Sequence, residues 1–360
     1  MIWLEEFARP NEYGRSVKGI HGIGVVGSGF MGRTWAEVTR LGSGTPLRAV
    51  AGGRRSAKLA ADYGVDHETS VDNLVARPDI DVVIITTPPK LHEPHTAAAA
   101  ASGKHVLVEK PMAYDLGQAK AMVDACARAG VRLAVVSQHR FRNSPMAAKK
   151  LIDDGAIGVV RMARVTGIEA WWDMTETQDE WKLDQTQQKV FADWGAHGCD
   201  ILRWLVGSDP QSVFCQYASY SDSPPPGQSV FAQYRFANNV MASVWMTYEV
   251  PPPRFGSAMQ YLVTGSQGIV EFDAYGEVRL GRGDSWQTVY QQPAFDPLDP
   301  VSAGRLEAYR RELADLVDAI ETGGSPAVDG REGLITQRML DGAELSASTG
   351  KLVALEEAAW

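Results

Sequence analysis

The chain predicts an α/β fold in two parts: a doubly wound parallel sheet toward the amino end, then an α/β domain built on a large open, mostly antiparallel sheet. Three observations predict it. Short continuous apolar runs alternate with helical segments as far as about residue 145. Beyond Ser144 the apolar residues shift to period two. A glycine turn, Gly27-Ser28-Gly29-Phe30-Met31-Gly32, joins the first run to the first helix.

Strands are predicted at 23–26, 47–51, 82–85, 106–108 and 133–136, and helices at 30–41, 56–63, 91–101 and 116–129. Strands that read as unbroken apolar runs are buried on both faces, which βαβ crossovers achieve by laying helices over each side. A helix at 144–153, a strand at 159–170, a Trp-rich loop and a helix at 195–205 come next. Period-two strands follow at 212–219, 230–236, 240–248, 258–264, 269–272 and 277–280, with turns at Ala237-Asn238-Asn239 and Ala274-Tyr275-Gly276. Prolines at 224–226 and 251–253 belong between strands or at an edge, since proline cannot donate to a ladder. A loop at 291–300 leads to closing helices at 306–321 and 331–349. The expected organisation is an N-terminal extension, 1–19, a Rossmann dinucleotide-binding domain, 20–143, and a substrate-binding and oligomerisation α/β domain, 144–360. Its closing helices are placed to pack back on the first domain.

A net charge of −9 argues against nucleic acid or an anionic membrane as partner, because both select a basic face. No apolar run approaches the ~20 residues that span a bilayer, and Met1-Ile2-Trp3-Leu4-Glu5-Glu6 lacks the basic start and apolar core of a signal peptide. A cytoplasmic protein is expected. Cys126, Cys199 and Cys215, odd in number and far apart, read as free thiols in a reducing compartment. No metal is expected: His92 and His95 lack a third ligand, and no Gly-x-Ser-x-Gly nucleophile elbow occurs.

The glycine turn has the strand-turn-helix context of a dinucleotide fingerprint. Gly27 allows the tight turn, Gly29 removes a Cβ where a pyrophosphate would lie, and Gly32 lets helix and strand pack closely. Ser28, Phe30 and Met31 complete the phosphate-facing turn, where helix N–H groups and the macrodipole favour an anion. A plain strand-to-helix turn is the alternative.

Glu109-Lys110-Pro111 directly follows a buried strand, at the carboxyl edge where doubly wound sheets bind ligands. A lysine there offers a cation to a reacting hydroxyl and stabilises alkoxide character; otherwise it is a surface lysine at a strand end. Asp193 and His197 are four apart and share a helix face if the helix begins at or before Asp193. His197 suits a general base, because an unperturbed imidazole titrates near pH ~6.5. Asp193 would orient it, bind a neighbouring hydroxyl, or serve as N-cap. Asp200 reads as structural, pairing with Arg203.

These stretches, with Thr86-Thr87-Pro88-Pro89-Lys90-Leu91-His92, Lys104 to Pro111 and Asp193 to Asp200, resemble the Gfo/Idh/MocA oxidoreductases, the glucose-fructose oxidoreductase and inositol dehydrogenase group. The resemblance covers almost all of the chain after Ile20. It implies a Rossmann domain, then a domain whose open sheet walls the site and often joins subunits, hence a homo-oligomer, dimer or tetramer. It also implies that Lys110 is catalytic or substrate-binding, that Pro111 is cis, that Asp193 and His197 line the substrate pocket with His197 as base, and that Thr87 and Pro88 run beside the cofactor. His92 is read as structural or cofactor-adjacent, and Glu109 as part of the cofactor-binding set.

After the second strand the positions read Gly52-Gly53-Arg54-Arg55-Ser56, where NAD enzymes usually place an acid. With no carboxylate to repel a 2′-phosphate and two guanidiniums to bind it, NADP is favoured over NAD; two solvated arginines beside bound NAD are the alternative. Trp171, Trp172 and Trp181, with Lys182, Asp184, Gln138 and Arg140, combine flat apolar faces with polar groups, as a sugar or cyclitol requires. The same loop could be core or oligomer contact. The leading expectation is an NAD(P)-dependent oxidoreductase acting on a secondary alcohol of a sugar, sugar derivative or cyclitol. The alternative is a glycoside hydrolase that transiently oxidises a ring carbon with bound NAD, and a non-catalytic nucleotide sensor ranks last.

Overall fold

The computed structural model describes residues 20–42, 44–168, 184, 186–187, 189–220, 228–250, 259–296 and 299–355. The chain divides into two compact units, one running to Phe141 and taking in Phe295–Leu334, the other comprising Arg142–Ala294 and Ile335 onward.

The first unit carries β1 (Ile23–Val26), α1 (Phe30–Arg40), β2 (Leu47–Ala51), α2 (Ser56–Tyr63), β3 (Asp66–Glu68), α3 (Val71–Val75), β4 (Val82–Ile85), α4 (His92–Ala101), β5 (His105–Val108), α5 (Leu116–Ala129) and β6 (Leu133–Val135). The sheet is wholly parallel in the order β3-β2-β1-β4-β5-β6. Alternate strand residues enter opposite cores. Ile23, Val25, Val82 and Ile84 pack with Trp35 and Val38, while Val26, Val83, Ile85 and Val106 pack with Ala99, Ala119 and Met122. Asp115 caps α5 by accepting from Gln118 N at 2.9 Å, and Gly130 ends it in the left-handed region at φ 68°.

β3 and α3 were absent from the sequence reading, because Asp66-His67-Glu68 shows no apolar signal and is held only at the sheet edge. The segment from Phe295 to Leu334 belongs to this unit. It contributes α8 (Ala303–Thr322), whose Leu306, Tyr309, Leu313, Leu316 and Val317 complete the core around Trp35.

The second unit contains α6 (Asn143–Asp153), β7 (Val160–Ile168), α7 (Val190–Val206), β8 (Pro210–Ala218), β9 (Ser229–Phe236), β10 (Met241–Thr247), β11 (Met259–Gly265), β12 (Ile269–Asp273), β13 (Glu277–Arg282), β14 (Ser285–Gln291) and β15 (Val353–Ala354). Most of α9 (Gly330–Thr349) also falls here. The nine strands run β14-β13-β12-β11-β7-β10-β9-β8-β15, antiparallel except where β10 meets β7. Buried Val165, Val244, Ala232 and Val263 face Phe191, Cys199, Leu202 and Met339. On the opposite face Phe231 sits across from Trp245, which is 42% exposed, and Met162 across from Met241.

Helix α7 begins five residues earlier than its expected start at 195, and β14 and β15 are strands the sequence reading lacked. Strand β14 is largely exposed and β15 only two residues long, so neither carries an alternating apolar pattern. The proline runs at 224–226 and 251–253 lie outside the described residues. No described helix is long and apolar enough to cross a membrane.

Candidate active site

In the first unit the three fingerprint glycines have three distinct surroundings. Gly27 stands at φ 113°, and a Cβ there would meet Thr86 Oγ1 at 2.3 Å; one on Gly32 would strike the Gly27 carbonyl oxygen at 2.3 Å. Gly29 is open. As N-cap of α1 it has no atom nearer to a Cβ than Arg55 Nη2 at 3.8 Å. No side chain caps α1 and its first turn carries no acid, so the helix end keeps its partial positive charge for an anion. The turn thus fits a pyrophosphate by space and by charge. Phe30 is exposed and Met31 half-buried beside it.

The loop after β2 is keyed to this turn. Arg55 N donates to Ser28 Oγ at 3.1 Å, and at Gly53, φ 80°, a Cβ would lie 2.5 Å from the same oxygen. Arg54 and Arg55 are exposed, with no carboxylate in the loop. Past β4, Thr87 Oγ1 lies 3.1 Å from His95 Nδ1, and Pro88 caps a single 3-10 turn.

His92 is fully buried. Its Nε2 is 2.6 Å from the Thr87 carbonyl oxygen, and its Nδ1 is 3.1 Å and 3.2 Å from those of Pro111 and Met112. Burial pushes the imidazole down to about 4, outweighing the pull of the carbonyls, so it is neutral at pH 7. It is packed between the Thr87 loop and the Lys110 turn, and its single ring N–H donates to one of the two sides.

The Lys110–Pro111 peptide bond is cis and Lys110 is half-buried at the carboxyl end of β5. Glu109 is buried; one carboxylate oxygen accepts from Trp35 Nε1 at 2.8 Å and the other from Lys110 N at 3.2 Å. Gln138 and Arg140 lie in a buried 3-10 turn after β6. The Arg140 guanidinium pairs with Glu332 at 2.9 Å, which gives it a structural partner beside its expected substrate role.

In the second unit α7 presents Asp193, His197 and Asp200 at i, i+4 and i+7, all buried. Its N-cap is Lys189, so the N-cap alternative for Asp193 falls away; the carboxylate sits in the first turn, where the macrodipole favours it. The His197 ring meets Trp194 edge-on at 5.8 Å, and Tyr261 OH donates to the His197 carbonyl at 3.5 Å. A Cβ on Gly195 would press the Phe191 ring at 2.6 Å, and one on Gly198 would reach Met246 Cε at 2.5 Å. Gly198 lets α7 settle onto the sheet, while Gly195 leaves room for the Phe191 ring of its own helix. Asp200 accepts from Thr336 Oγ1 at 3.4 Å, and Arg203 bonds Asp209 at 2.8 Å.

Trp171, Trp172, Trp181 and Lys182 lie outside the described residues; Asp184 is exposed and accepts from Thr186 N. Sequence reasoning missed Trp35, Arg305 and Tyr261, each brought to a motif from 64 to 274 residues away. No local pattern marks them.

A parallel sheet ordered 3-2-1-4-5-6 with an open glycine at the head of its first helix defines a Rossmann-type dinucleotide-binding fold. Residues 21–137 match the oxidoreductase family with an NAD-binding Rossmann fold, and 146–271 match the GFO/IDH/MocA C-terminal domain. The chain belongs to the GFO/IDH/MocA family. It is 28% identical over 347 residues to 1,5-anhydro-D-fructose reductase of Ensifer adhaerens, covering 92% of this chain and 98% of the relative. It is 27% identical over 344 residues to inositol 2-dehydrogenase of Rhizobium meliloti (strain 1021), with the same coverage. Among solved structures, levoglucosan dehydrogenase in complex with NADH and levoglucosan superposes with a TM-score of 0.81 at 25% identity, covering 93% of this chain and 99% of that one.

Proposed function

We propose that the protein oxidises a secondary alcohol of a sugar, sugar derivative or cyclitol to the ketone, or runs the reverse, using NAD(P). The observation that carries the reading is the open Gly29 at the uncapped head of α1, on the sheet edge where β5 delivers Lys110. The relatives' names, a reductase of an anhydro-sugar and dehydrogenases of levoglucosan and inositol, supply the substrate class.

When bound, the nicotinamide supplies the hydride acceptor. The N–H groups of the first turn of α1 hold its pyrophosphate, and Gly27, Gly32 and Gly53 keep that turn tight. Lys110 donates to the substrate oxygen and stabilises its alkoxide character. His197 takes the hydroxyl proton on its imidazole, and Asp193 binds a neighbouring hydroxyl or orients the ring. Arg54 and Arg55 bind a 2′-phosphate, favouring NADP. The exposed Phe231–Trp245 and Met162–Met241 pairs fit a second copy of the chain, consistent with a homo-oligomer.

The test is incubation with a panel of aldoses, pyranosides, anhydro-sugars and inositols plus NAD or NADP, following both reduced nicotinamide and released sugar. Stoichiometric reduction with one substrate class supports the reading. Sugar release with only catalytic dinucleotide would replace it with the redox-neutral hydrolase. Arg54→Ala combined with Arg55→Ala should weaken NADP by at least about tenfold, one lost charge-assisted pair, and leave NAD nearly unchanged. Equal loss for both would remove the arginines from cofactor choice.

A further inference from the structure

Glu109 is a carboxylate at 4% exposure whose two oxygens meet only neutral N–H donors, the Trp35 indole and the Lys110 backbone, among the bonds at this turn. Burying an anion without an ion pair is costly, and a glutamine would satisfy the indole equally well. The charge itself therefore calls for a reason. Two cations act on it: Lys110 beside it, and Arg305, buried on α8 with its guanidinium 4.7 Å from the rings of both Phe30 and Tyr309. Burial still raises the Glu109 carboxyl, against the indole bond and both cations. Trp35 is itself fixed, with its ring edge-on to Tyr309 at 5.2 Å.

We propose that Glu109 is a positioning residue for Lys110, anchored by the Trp35 indole of the fingerprint helix, holding the Lys110 backbone through its second oxygen and setting a carboxylate charge beside the ammonium. The link ties the helix expected to seat the pyrophosphate to the turn that carries the cation. Arg305 balances the buried charge from α8, and His92 steadies the far side of the turn through the Pro111 and Met112 carbonyls. The inference rests on the reading of Lys110 as the cation that acts on the substrate.

The experiment uses the full chain without cofactor, then with it. In cofactor-free protein, the pH dependence of Lys110 acylation by acetic anhydride is followed by mass spectrometry. Glu109→Gln keeps the volume and an acceptor for Trp35 but removes the charge. Its acylation midpoint should fall by about one pH unit, the usual effect of losing one adjacent opposite charge. With cofactor, the alkaline limb of the kcat profile should move down in step. Trp35→Phe keeps the charge but frees the carboxylate, so the midpoint should stay while kcat falls about 10- to 100-fold at little-changed cofactor affinity.

If Lys110→Ala abolishes turnover but the Glu109→Gln midpoint and profile match wild type, the positioning role is overturned and the functional reading stands. If Lys110→Ala turns over normally, the functional reading itself fails. Should Glu109→Gln not fold, Glu109→Asp takes its place: a retained midpoint with lowered kcat supports the proposal, and unchanged kcat overturns it.

Discussion

The Lys110 turn and the Asp193–His197 helix carry the two halves of the expected chemistry, and they are held by different means. Around Lys110 the turn is anchored by contacts remote in sequence: Trp35 reaches Glu109 across 74 residues and His92 reaches Pro111 across 19. Around His197 the arrangement is mostly local, since helical period alone puts Asp193, His197 and Asp200 on one buried face, Gly195 makes room for the Phe191 ring one turn back, and Gly198 lets the helix approach the sheet. A turn at a strand end has no internal hydrogen-bond ladder to define its shape, so it borrows one from neighbours. A helix brings its own.

The contrast can be broken most severely at Gly29. Unlike Gly195, it has room for a side chain within the protein, so Gly29→Asp should fold with an unchanged melting temperature and yet lose dinucleotide binding altogether, as the carboxylate occupies the anion's place. Calorimetric titration with NAD and NADP checks this; retained affinity would take the fingerprint out of the mechanism.

Next in size is His197→Ala, expected to lower turnover by about 10²–10⁴ while leaving cofactor affinity intact. In wild type the oxidation rate should fall on acidification, as the base protonates. Near-normal turnover with the same pH profile would shift the test to Asp193.

The remote supports should show in stability as pH falls. His92 is depressed in the folded protein to about 4, against about 6.5 when unfolded. A lowered pKa means its contribution is whole above pH 6.5 and lost as pH drops toward 4. The full loss is about 3 kcal/mol. Burial lowers His95 and His105 as well, adding in the same direction. Denaturant titrations at pH 7 and 4.5 should show wild type losing more stability than His92→Gln; parallel losses would mean that His92 is not buried neutral.

The smallest effect sharpens the local half. Gly195→Ala adds a methyl 2.6 Å from the Phe191 ring of the same helix and should cost about 1–3 kcal/mol of stability, displacing that ring and reducing turnover modestly. A neutral result would mean that the Phe191 ring can shift at no cost.

Much of this was legible in the chain. The five apolar Rossmann strands announce themselves because a strand buried on both faces is mostly apolar, and α5 is bracketed by its own cap and left-handed glycine. The fingerprint is legible because backbone sterics near a phosphate leave only glycine. The start of α7 was misplaced, because its head is set by Lys189 without any side-chain cap to mark it.

What the sequence determined by itself is whatever period and steric exclusion impose over a few residues: the strands, the helix faces, the glycine turn and the spacing of Asp193 and His197. Tertiary structure alone decided the return of Phe295–Leu334 to the first unit, the Trp35–Glu109 bond, the Arg305 counter-charge and the burial that neutralises His92. These depend on which surfaces exclude water together. Desolvation of a charge or a ring comes from the whole packed neighbourhood, which no short stretch of residues encodes.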